Sequence, residues 1–70
     1  MRALDDSLLD AHARADTRAL VGLYTQAADS VNDADAAGFF LTHAYVFALE
    51  LGDGRAAQLH ARLCAEGREA

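Results

Sequence analysis

His60 and Cys64 stand four residues apart in "LHARLC". On a helix that spacing puts two donors on one face, within reach of a single metal ion. A structural zinc takes four protein ligands and a catalytic zinc three, so His12, His43 or an acidic residue would have to join them. The sequence holds no second closely spaced ligand pair. The plainer expectation is that Cys64 packs as a small apolar residue while His60 hydrogen-bonds to a tyrosine or a backbone carbonyl.

His43 lies near Thr42 and Glu50. A histidine beside a carboxylate can move protons where a pocket holds a substrate. A chain of 70 residues leaves little room for a pocket of several hundred cubic ångströms, so His43 is expected on a solvated or interfacial face. "GDG" (52–54) has glycines that would let backbone amides approach a phosphate. Asp53 is expected to occupy that amide cluster itself, and the Lys-Ser/Thr ending of a phosphate loop is absent. Ser7 and Ser30 fall at cap and turn positions, so no serine nucleophile stands out. We expect no catalytic residue, no cofactor and no metal. The alternative is a small metal-binding protein or enzyme built on His60, Cys64 and another histidine.

Composition narrows the partners. The net charge of -5 disfavours a nucleic-acid backbone, whose counterions are released only by a basic surface, and equally an anionic membrane surface. The longest apolar run, near residues 36–51, is interrupted by Thr42, His43 and Glu50 and is too short to span a bilayer. The N-terminal "MRALDDSLLDAHARAD" puts acids where an export signal would be apolar, and Cys64 is the only cysteine. A cytoplasmic location is expected. With 53% hydrophobic and 24% charged residues and no proline, the chain should fold as helices.

Four helical segments position these side chains. The first starts near Asp5–Ser7 and runs to about Arg14, with Leu4, Leu8, Ala11 and Ala15 on one face. Asp16 should cap a second, from Thr17 to about Val31, with Leu20, Leu23, Tyr24, Ala27 and Val31 as its inner stripe. Asp33 or Asp35 should cap a third that ends near Leu51. Its residues Phe39, Phe40, Leu41, Tyr45, Val46, Phe47, Leu49 and Leu51 ring most of its circumference. Gly52 should close it and Asp53 cap the fourth, whose inner face holds Ala56, Leu59, Leu63 and His60, with Gly67 at its end. No segment alternates with period two, so no strand is expected.

Sliding the chain by 37 residues places Leu4 on Leu41, Ala11 on Ala48, Asp16 on Asp53, Arg18 on Arg55 and Ala19 on Ala56. A period of this size marks stacked supersecondary units. "AYVFALELGDGRAAQLHARL" resembles the helix pair of a tetratricopeptide repeat, with Gly52-Asp53 at the turn and Ala57 as the small residue where the helices touch. "LLDAHARADTRALVGLY" is similar, with Ala15-Asp16 at the turn and Leu20 in the contact position. The period exceeds the family's, which is about 34, and the family's helix-ending proline is missing. Its small residue before the turn falls on Leu8 and Tyr45, one place from Ser7 and Ala44.

The resemblance implies a protein-binding module. Its recognition face would include Leu9 and His12, with Thr42 and Val46 as counterparts, and Phe39 joins them from the aromatic cluster. The expectation is one all-α domain, 1–70, of two antiparallel helical hairpins, about 4–32 and about 34–67, as a tetratricopeptide-like array or a compact four-helix domain. Its function would be protein–protein interaction without catalysis. A homodimer through an uncapped apolar end face is the expected form.

Overall fold

The computed structural model describes residues 3–67, so the two ends of the expected 1–70 domain lie outside the described residues. Four α-helices follow one another: α1 (Ala3–Ala13), α2 (Thr17–Ser30), α3 (Ala34–Leu51) and α4 (Arg55–Ala65). There is no strand among the described residues. The expected all-α fold of two helical hairpins is what the chain forms.

Aspartates cap α2 and α3, because the first turn of a helix leaves its amides unpaired, whereas the cap residue of α4 is Gly54 and the expected Asp53 stands one place before it. The Asp16 carboxylate accepts the Ala19 amide at 3.2 Å. Of the two candidates for α3, Asp33 is the cap, accepting the Asp35 amide at 3.0 Å. Asp53 accepts the Arg55 amide at 2.8 Å, and its carbonyl takes the Ala56 amide at 3.0 Å.

The two hairpin turns share one hydrogen-bond pattern. In the first, the Ala15 amide donates to the His12 carbonyl at 3.1 Å and Asp16 to Ala11 at 2.9 Å. In the second, Gly52 donates to Leu49 at 3.1 Å and Asp53 to Ala48 at 2.9 Å. Each donor and acceptor is displaced by the same 37 residues found in the sequence. The pattern needs a left-handed residue to turn the chain back. Gly52 supplies it at φ 67°, whereas Ala15 supplies it at φ 54° against the steric preference of an L-residue.

Arg55 ties the second turn to the first hairpin. Its guanidinium contacts the Asp53 carboxylate at 2.8 and 3.1 Å and reaches the Arg18 carbonyl at 3.3 Å. Those side-chain bonds, followed by the backbone amide of Arg55, hold the Asp53 carboxyl down at about 2, below its ordinary 3.8. A second link between the same two helices is Arg62 to Asp29 at 2.7 Å.

The core joins three helices: Val21 and Ala28 from α2, Leu41, Ala44 and Ala48 from α3, and Leu59 and Leu63 from α4. On α2 the expected stripe is only part of the buried surface. Leu20 and Ala27 are buried as expected, but so are Val21 and Ala28, whereas Leu23, Tyr24 and Val31 are half-buried. The reason is that α2 lies between α1 and α3, so its buried arc is wider than a single amphipathic stripe. The small residues at the α3–α4 seam also lie one place from the tetratricopeptide positions. Ala44 is fully buried where Tyr45 aligned, and Ala56 packs on the core while Ala57 is exposed.

Close backbone contact occurs only between sequence neighbours, most extensively between α2 and α3. Since α1 and α4 do not meet, the helices make a row and not a closed ring. Through its Cα atoms the row measures 32 × 29 × 12 Å, a thin slab. Its α4 edge carries small and polar residues. The residues 37 places after Val21, Tyr24 and Ala28 are Gln58, Ala61 and Ala65, all exposed. They are polar or small, so no large apolar end face is left there for a second copy to cover.

Two outcomes follow. Ala15→Gly should stabilise the protein by about 0.5–1 kcal/mol by relieving the left-handed alanine, while Gly52→Ala should cost about 1 kcal/mol at the equivalent site. Urea denaturation of both variants checks this, and a destabilised Ala15→Gly would contradict the turn geometry. Because the Asp53 carboxyl titrates lower folded than unfolded, its contribution to stability is present above about pH 4 and lost as pH falls toward about 2. Asp53→Asn should therefore be less stable than wild type at neutral pH, with the gap closing over that window. A gap that stays constant down to pH 2 would disprove the linkage.

Candidate interaction surface

Helix α3 buries one side and shows the other. Leu41, Ala44 and Ala48 are fully covered by α2 and α4. On the opposite side, Phe39 is 60%, Val46 45% and Leu49 55% exposed, with exposed Thr42 among them. The spacing 39-42-46-49 is three, four, three, the repeat by which one helix presents a seam to another. The Thr42 hydroxyl donates to the Gly38 carbonyl at 2.9 Å, so it asks nothing of a partner. Large apolar side chains contiguous on a surface mark association.

Beside this stripe, a series of rings fills the space between α3 and α1. Tyr24, from α2, is its centre. Its hydroxyl lies 2.9 Å from His12 Nε2, and its ring stacks on His43 at 5.2 Å and Phe47 at 5.9 Å between centroids. His12 closes one end against Phe47 at 6.2 Å, and Phe39 closes the other against His43 at 4.4 Å. His43 Nδ1 sits 2.9 Å from the Phe39 carbonyl. A carbonyl only accepts, so Nδ1 carries the proton and donates.

Two open hollows flank the rings. One of about 190 Å³ is lined by Thr42, His43, Val46 and Phe47. The other, of about 400 Å³, is lined by Asp5, Leu8, Leu9, His12 and Tyr24, with Leu9 68% exposed. The structure thus places the five expected residues on two neighbouring walls: Leu9 and His12 on α1, and Phe39, Thr42 and Val46 on α3. Tyr24, expected on the inner stripe of the second helix, packs against the core and also lines the α1 wall. A tyrosine hydroxyl in the middle of an apolar stripe is the signal that this ring must reach a polar partner.

The chemistry candidates are placed as follows. Cys64 Sγ is 3.7 and 3.8 Å from the two ring nitrogens of His60, and the His60 ring tilts against Tyr45 at 5.5 Å. The hydrogen-bond partner of His60 is thus the Cys64 sulfur and not the expected tyrosine or backbone carbonyl; the histidine bonded to a tyrosine is His12. Among the described residues no group of three or more His, Cys, Asp or Glu side chains is placed to hold a metal. In the "GDG" turn, Asp53 takes up amide donors that an anion would need. No helix among the described residues is long and apolar enough to cross a membrane.

Compared with known protein families, with characterised proteins and with solved structures, the chain matches none of them.

Proposed function

We propose that this chain is a small protein–protein interaction module, without catalysis of its own, that docks a protein along the outer side of α3 and the neighbouring wall of α1. The supporting observation is the exposed stripe of Phe39, Val46 and Leu49 on a helix whose other side is already covered. A tetratricopeptide-like relationship fits the two turns with their shared hydrogen bonds and 37-residue displacement. A cytoplasmic setting suits a sequence with a single cysteine. Self-association is the homomeric form of the same proposal, moved from the end face to the long side of α3.

A photo-crosslinking amino acid at position 46, in cells that express the protein, tests this against one at position 58. Discrete protein adducts are expected from position 46 and none from position 58, and an adduct of twice the chain mass would identify a second copy. Absence of adducts from position 46, or the same adducts from both positions, would refute the docking side.

A further inference from the structure

We propose that the partner seated on α3 is a cationic amphipathic helix of another protein, an inference that rests on the docking side proposed above and adds its chemistry. The stripe from Phe39 to Leu49 runs about 15 Å along the helix axis, three turns. Its three-four-three spacing suits the ridge of a facing helix better than an extended peptide, whose side chains alternate.

Charge selects the partner. Neither α1 nor α3 contains an arginine, and the chain has no lysine. The acids bordering the walls are exposed: Glu50, one turn beyond Val46, and Asp5 and Asp6, one turn before Leu9. Three of the six arginines are engaged with the chain's own acids, and Arg18 lies on α2, away from both walls. Arg14 pairs with Asp10 and Asp16, Arg55 with Asp53, and Arg62 with Asp29. A second copy would set this acidic rim against its own duplicate, with a net charge of -5 on each side. A helix carrying lysine or arginine beside an apolar ridge meets the rim favourably. The exposed ring of Phe39 offers further attraction to its cations.

The test uses the full chain and two fluorescent synthetic helices of about 18 residues, five turns each. Both carry leucines at alternating three- and four-residue spacing; one has lysines on the flanks and its twin has glutamates. Fluorescence anisotropy should show the lysine helix binding about tenfold more tightly, as three exposed ion pairs of ordinary strength would give, with the advantage shrinking in salt. Asp5→Arg with Glu50→Arg should reverse the preference. Val46→Glu should abolish binding of the lysine helix although it adds negative charge, with helicity by circular dichroism unchanged.

Equal binding of the two helices would overturn the inference while leaving an apolar docking side in place. Binding that survives Val46→Glu would overturn it by locating the helix elsewhere. A dimer by light scattering that Val46→Glu dissociates, and that excludes the lysine helix, would make a second copy the occupant. If neither helix binds, the inference fails, and the position-46 crosslinks then decide separately whether the docking side stands.

Discussion

Leu41, Ala44 and Ala48 give α3 one side on which α2 and α4 can press closely, and the rest of the molecule depends on that contact. Alanine at two of the three positions lets the helix backbones approach. A row of helices 12 Å deep can supply neighbours on that side only. The opposite side of α3, rich in large apolar residues, therefore stays in water. Among the described residues no further helix lies across it.

The turns keep that arrangement in register. Both close with the same pair of backbone hydrogen bonds, and both place an aspartate at the start of the next helix. They differ in cost, because Gly52 takes the left-handed conformation freely and Ala15 does not. The second turn carries an added clamp in Arg55, which binds Asp53 and reaches the first hairpin at Arg18. Two polar links between α2 and α4 use arginine, and these are exposed or partly exposed contacts that fix geometry more than they stabilise. The aromatic rings perform the corresponding task between α1 and α3, where no backbone contact exists.

The caps of α2 and α3 were legible because they rest on local chemistry, whereas α1 starts at Ala3, before the expected Asp5–Ser7, and α4 is capped at Gly54 and not at Asp53. Aspartate at 16 and 33, and glycine at 52, act within a few residues of themselves, and the 37-residue displacement predicted the matching turns. Packing was less legible. Periodicity assumes one buried side per helix, which misses Val21 and Ala28 on a helix flanked twice. It also cannot tell which arc of an all-round apolar helix meets its neighbours. The alanines at 44 and 48 chose that arc for α3.

Carbene footprinting of the isolated protein, at a concentration where light scattering shows a single chain, measures side-chain access residue by residue. Phe39, Val46 and Leu49 should label heavily, while Leu41 and Leu63 on the covered side should label little. Phe39 and Leu49 protected as strongly as Leu41 in that monomer would contradict the account, because α3 would then have no uncovered side to offer.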